Sequence, residues 1–137
     1  MSFLADTNVL SELVRPRPDP GVERWVRSQD RLFVSAVTVE EIAFGLAWRP
    51  HPRIAAWMSS FLEQSCEVLP VDGPVARHAG QLRGQLRAAG QTRTQADLLI
   101  AATAAARGMT VVTRNGADFA GCGVAILDPF SSTSKLG

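Results

Sequence analysis

The sequence predicts an α/β protein: a three-layer α/β/α sandwich built around a central parallel sheet of five strands. Three observations carry that expectation. Five short β-rich runs alternate with helical patterns along the 137 residues. The runs are almost continuously apolar, as strands are when helices cover both faces of their sheet. Helices lie between successive runs, which is what right-handed crossovers between parallel strands require.

The elements follow in order. Residues 3–5, 32–35, 67–69, 110–113 and 124–127 read as strands. Asp19-Pro20 is an N-cap followed by a first-turn proline, opening a helix with Val22, Trp25 and Val26 on one face. Pro50 and Pro52 split a long helical stretch after Trp48. Asp72 followed by Pro74 opens a helix that runs to about residue 89, where Gly90 supplies the C′ position. Gly108 does the same for an alanine-rich helix over about 95–107. Residues 15–19 have turn composition. The expected organisation is a single domain over residues 1–130 and a C-terminal tail over 131–137, without internal repeats.

Composition narrows the functional classes. A chain of this length buries roughly two thirds of the surface its unfolded form exposes, and 46% hydrophobic with 20% charged residues is ordinary for a folded domain. The longest apolar run, residues 98–106, is about half of the roughly 20 residues a membrane span needs, and no signal segment opens the chain. A cytoplasmic protein with no membrane association is expected. Cys66 and Cys122 lack metal-binding or redox spacing and read as packing thiols. The net charge of +1 does not announce tight non-specific DNA binding. Lys135 is the only lysine; the arginine bias suits phosphate contacts, and a GC-rich genome also produces it.

Four acidic residues fall where such a sheet gathers functional groups, beyond the carboxyl ends of its strands. Asp6 directly follows the first strand. Glu41 lies in the first turn of the helix after the second, Asp97 in the first turn of the helix before the fourth, and Asp118 follows the fourth. Each has a structural alternative: Asp6 can cap a helix, Thr38 with Glu41 and Thr94 with Asp97 fit capping boxes, and Asp118 suits a turn. Capping accounts for the residue types but not for their convergence, because four gathered carboxylates repel one another without a cation. Oxygen ligands without histidine or cysteine favour Mg²⁺, with Mn²⁺ as the alternative, over zinc. Such a metal site serves phosphate chemistry by lowering the pKa of a bound water and neutralising phosphoryl oxygens.

The string Leu4-Ala5-Asp6-Thr7-Asn8-Val9-Leu10-Ser11-Glu12 resembles the opening of PIN-domain nucleases, and more closely the VapC toxins of toxin–antitoxin pairs. Ser35-Ala36-Val37-Thr38 with Glu41, Ala96-Asp97 with Ile100-Ala101-Ala102-Thr103-Ala104, and Thr113-Arg114-Asn115 with Asp118-Phe119 follow in family order, so the resemblance spans residues 3–130. It implies a PIN-like fold and a Mg²⁺-dependent endoribonuclease that hydrolyses RNA phosphodiester bonds with a metal-activated water. It also implies a cognate VapB-like antitoxin and a homodimer. Asp6 and Asp97 match the principal metal ligands, and Glu41, preferred to Glu40, matches the acidic residue of the second motif. Thr7, Asn8 and Thr113 match polar neighbours that orient carboxylates or phosphate, and Arg114 is the candidate for touching the substrate backbone. Many PIN domains carry aspartate where this chain has Asn115; Asp118, three residues on, is the candidate replacement as catalytic acid and metal ligand, with Asn115 beside it. One tightly held Mg²⁺ is the resulting expectation.

Other chemistries fit less well. His51 and His78 are the only histidines, and His78 sits mid-helix among Arg77, Arg83 and Arg87 as a surface residue. Trp25, Trp48 and Trp57 fall on apolar helical faces as core or interface anchors. Arg83 and Arg87 share a solvated helix face. A receiver domain would need a lysine near the last strand, which is absent. The remaining alternative is a catalytically silent PIN-fold interaction protein, against which Asp6, Glu41 and Asp97 count.

Overall fold

Strand order decides where the polar residues meet. In the computed structural model, which describes residues 2–131, five strands form one parallel sheet: β1 (Phe3–Ala5), β2 (Leu32–Ser35), β3 (Cys66–Leu69), β4 (Thr110–Val112) and β5 (Ile126–Leu127). Their order is β3-β2-β1-β4-β5. The chain winds outward from β1 through β2 to β3, then returns to the other side of β1 for β4 and β5. Winding therefore reverses between β1 and β4, the place where open α/β sheets form their binding crevice. Ala5 is in register with Val112 across these two strands, so the residues that follow them, Asp6 and Thr113, emerge side by side.

Six helices connect and cover the strands: α1 (Thr7–Leu13), α2 (Pro20–Arg27), α3 (Ala36–Trp48), α4 (Pro52–Ser65), α5 (Gly73–Ala88) and α6 (Gln95–Ala106). The period-2 geometry of a strand sends neighbouring side chains to opposite faces, and the core divides accordingly. Leu4 and Val111 join Val75, Ala79, Leu82, Leu98 and Ile100 from α5 and α6. Ala5 and Val112 join Val9, Leu10, Val22 and Met58 from α1, α2 and α4. Val37 of α3 packs against the first cluster and Ile42 against the second. The three-layer sandwich is thus present. Each fully buried Leu, Ile or Val stabilises it by about 1.5–3 kcal/mol.

Helix ends follow the local chemistry. Asp19 Oδ1 accepts from the amides of Gly21 and Val22 with Pro20 in the first turn, and Asp72 caps α5 through the Val75 amide. Gly90 and Gly108 take φ of 80° and 62° just past α5 and α6, the left-handed conformation that ends a helix most cheaply at glycine. Pro50 and Pro52 separate α3 from α4, and His51 Nδ1 caps α4 by accepting from the Ile54 amide.

Several sequence expectations shift. Strand β3 begins one residue early, at Cys66; β4 ends at Val112, so Thr113 lies just outside it; β5 is confined to Ile126–Leu127. Thr38 does not cap a helix with Glu41. Ser35 caps α3 by accepting from the Val37 amide, which leaves Thr38 and Glu41 inside the helix and free for the site. Trp25 packs edge-on against Phe3 beside the core, whereas Trp48 and Trp57 are 67% and 42% exposed and do not belong to it. The thiols are buried and free, and burial pushes the Cys66 pKa up to about 11, as suits packing thiols. Arg83 and Arg87 are exposed on α5, and His78 is partly so. Of the expected tail only Ser131 lies within the described residues. No helix there is long and apolar enough to cross a membrane.

Candidate active site

The site grows from one buried carboxylate. Asp6 is 5% exposed at the end of β1, where it caps α1. Its Oδ1 accepts from the Thr7 amide at 2.8 Å, and its Oδ2 accepts from the Thr113 hydroxyl at 2.8 Å and Asn8 Nδ2 at 3.1 Å. The Thr113 hydroxyl also accepts from Asn8 Nδ2 and from the Asn115 amide, both at 3.0 Å, so its one proton is committed to Asp6. Asn8 Oδ1 accepts from the Arg114 amide at 3.3 Å, which fixes the orientation of its side-chain amide. The strand reversal thereby becomes a cross-linked polar knot between the ends of β1 and β4.

A second carboxylate is tied in from α3. The Thr7 hydroxyl donates to Glu41 Oε1 at 2.7 Å and lies 3.0 Å from the hydroxyl of buried Thr38. Glu40 is exposed and Glu41 half-buried. The third, Asp97, stands in the first turn of α6, whose N-cap Thr94 accepts from the Asp97 amide. Asp6, Glu41 and Asp97 line one cleft of about 540 Å³ together with Thr7, Asn8, Asn115 and Arg114.

Asp118 takes a different place. It sits exposed in a 3-10 turn, Gly116–Phe119, and lines a smaller depression of about 320 Å³ with Thr92, Arg93, Thr94 and Asp97. Asp97 therefore borders both spaces, and three of the four acidic residues, rather than four, share the main cleft.

The electrostatics explain what the cleft lacks. Burial pushes the Asp6 carboxyl above its ordinary value, and the charges of Asp97 and Glu41 add to this against hydrogen bonds from Thr113 and Thr7. Burial likewise raises Asp97, with Asp118 and Glu41 adding and the Thr94 hydroxyl and Arg93 opposing. Neutral donors thus orient Asp6 without neutralising it, and Arg93 offsets the charge around Asp97 only in part. Among the described residues, no three His, Cys, Asp or Glu side chains close into a ready-made metal cage. A closed cage is not what Mg²⁺ requires, since it keeps several waters and takes only one or two carboxylates directly. No histidine lines the cleft, so imidazole acid–base chemistry is not built into it.

Ser11, Glu12, Arg15 and Phe130 also line the cleft. Sequence reasoning gave them no role, although Asn8, Ser11, Glu12 and Arg15 repeat at helical i, i+3, i+4, i+7 spacing and form a polar stripe on and just beyond α1. Phe130 had no comparable local signal.

The PIN domain family model matches residues 3–121. The chain is 37% identical over 136 residues to VapC ribonuclease Y4jK of Sinorhizobium fredii, covering 93% of this chain and 97% of that protein. It is 36% identical to toxin FitB of Neisseria gonorrhoeae, covering 93% and 98% respectively. The crystal structure of DNA-bound VapBC from Salmonella typhimurium superposes with a TM-score of 0.79 at 30% identity, over 94% of this chain and 98% of the other.

Proposed function

The chain belongs to the PIN domain family, and from that premise we propose that it is a Mg²⁺-dependent endoribonuclease, the toxin of a toxin–antitoxin pair. The observation that supports this most is the shared cleft of Asp6, Glu41 and Asp97, with Asp6 oriented by Thr113, Asn8 and Thr7. Three acids share the cleft, Asp6 and Glu41 held there by neutral donors, and this concentration of carboxylates suits a divalent cation, with Mn²⁺ the alternative to Mg²⁺.

Asp6 and Asp97 would hold the cation, with Glu41 beside them and Asp118 in the neighbouring depression that Asp97 also lines. When bound, the cation supplies positive charge to the phosphoryl oxygens and lowers the pKa of water. The chain's own residues do the rest. Asn8 and Thr113 fix the direction of the Asp6 carboxylate, and Thr7 fixes Glu41. Arg114 faces the same cleft and offers donors to the phosphate backbone, while Asn115 contributes an uncharged amide where a further carboxylate would deepen the repulsion.

The partners proposed are an RNA substrate, a small VapB-like antitoxin and a second copy of the chain in a homodimer. The relatives named a ribonuclease and a toxin, and the VapBC neighbour, support this reading. So do Phe44, Trp48 and Trp57, large apolar side chains left exposed on α3 and α4. A cytoplasmic setting follows from the same reading.

The test is cleavage of total RNA by antitoxin-free protein in Mg²⁺, in Mn²⁺ and in EDTA, beside the Asp6→Asn variant. Discrete fragments are expected with metal and wild type only. Fragments that persist in EDTA or with Asp6→Asn overturn the proposal.

A further inference from the structure

One wall of the cleft is made by the end of the chain. Phe130 lines the cleft although its ring is almost wholly buried in the core under α1 and α2. The Arg114 guanidinium lies over that ring, 4.7 Å from its centroid. Among the described residues Arg114 has no carboxylate within ion-pair distance; the pair found there is Arg15 with Glu12. A guanidinium held over a ring uses no hydrogen-bonding partner there, so its N–H donors stay available to match the oxygens of a phosphate.

Phe130 is itself held in two ways. Its amide donates to Asp128 Oδ1 at 2.9 Å, turning the strap of residues 128–131. The Ser131 amide then donates at 2.8 Å to Asp19 Oδ1, the same oxygen that caps α2 through Gly21 and Val22. The strap passes so close to α2 that a Cβ on Gly21 would stand 2.4 Å from the Pro129 carbonyl oxygen and 2.8 Å from the Ser131 nitrogen. Only glycine admits this approach. The contact is therefore built into both segments, and its far end is the ring beneath Arg114.

We propose that this strap belongs to the substrate-binding apparatus: Phe130 is a positioning residue that presents Arg114 to a phosphate of the RNA backbone, and Asp19 with Gly21 clamps Phe130 in place. The assignment rests on the ribonuclease reading above and adds to it the residues that aim the phosphate contact. Arg114 is joined to Asp6 and its partners through its backbone, as the residue after Thr113 and by its amide to Asn8, and no side-chain hydrogen bond joins them among the described residues, so the strap tunes binding rather than the carboxylate centre.

The experiment is a double-mutant cycle on the full chain, with kcat and KM for a defined RNA measured for wild type, Arg114→Ala, Phe130→Leu and the double variant. Phe130→Leu keeps an apolar side chain and removes the ring face. It is expected to raise KM about two- to fivefold, the factor that corresponds to an exposed cation–π contact, with kcat unchanged. In the Arg114→Ala background the same change is expected to have no further effect. Gly21→Ala, which displaces the strap, is expected to raise KM in the same way if it folds, and Phe130→Leu tests the proposal if it does not. An equal KM rise with and without Arg114, or a fall in kcat alone, overturns the positioning role while leaving the ribonuclease reading intact. A wild type that leaves RNA uncut overturns that reading and this assignment with it.

Discussion

At the scale of single residues, the Thr113 hydroxyl shows how little of the site is spare. It donates to Asp6 and accepts from Asn8 and from the Asn115 amide, so one oxygen joins the ends of β1 and β4. Thr113→Val keeps the side-chain volume and removes all three bonds. Because partners that orient metal-binding carboxylates typically matter 10- to 100-fold, RNA cleavage is expected to fall by about that factor while circular dichroism stays unchanged. Wild-type turnover by this variant would show that Asp6 needs no such orientation. Asp6 and Asp97 were legible because one follows a strand end and the other sits in a first helical turn, whereas Glu41, expected in the first turn, lies a turn further into α3 because Ser35 is its cap. Glu12 and Arg15 were not singled out, since a polar stripe on a helix ordinarily marks solvent. Asp118 was grouped with the others because it follows the fourth strand; it lies in a 3-10 turn and lines a neighbouring depression that Asp97 shares.

Elements were read most securely where a single residue dictates the backbone. Pro20, Pro52, Gly90 and Gly108 mark helix ends through constraints that no tertiary contact overrides. Gly108, at φ 62° with no neighbouring atom near a Cβ, isolates the conformational cost from any clash. Gly108→Ala is expected to destabilise the fold by about 1–2 kcal/mol, measured as a shift of the urea midpoint, with cleavage activity retained at temperatures where it is folded. Signals that depend on partners were less secure. Thr38 and Glu41 have capping-box spacing, but Ser35 is better placed to cap α3, and Thr38 instead meets Thr7 from α1. Short strand ends such as that of β5 depend on what β4 offers for pairing, which local sequence does not contain.

For the whole molecule, the reversal of winding between β1 and β4 gathers residues that are 107 positions apart in the chain, Asp6 and Thr113. Alternating strands and helices announced a parallel sheet, yet not which strands are neighbours, because several orders satisfy the same crossover rule. The gathering has a stability consequence. Asp6 and Asp97 have folded pKa values raised above the ordinary 3.8, by burial first, then by Asp97 and Glu41 around Asp6 and by Asp118 and Glu41 around Asp97. The metal-free fold binds protons at these groups more tightly than the unfolded chain, so their contribution is fully present below the ordinary carboxylate value and is lost as pH rises through the raised values. Thermal midpoints of chelator-treated protein should therefore decline over that window from these groups, while added Mg²⁺ should restore stability increasingly as pH rises. A Mg²⁺ effect on the midpoint that is the same at pH 5 and pH 8 would contradict this coupling.

The central claim is that Asp6, Glu41 and Asp97 act as one anionic centre for cutting RNA, and the most direct measurement is the cleavage rate of Asp97→Asn beside wild type in Mg²⁺. The substitution removes charge without changing side-chain size and leaves the Thr94 cap on its backbone amide in place. Abolished cleavage with an unaltered circular dichroism spectrum is the predicted result. Cleavage at the wild-type rate would contradict the account.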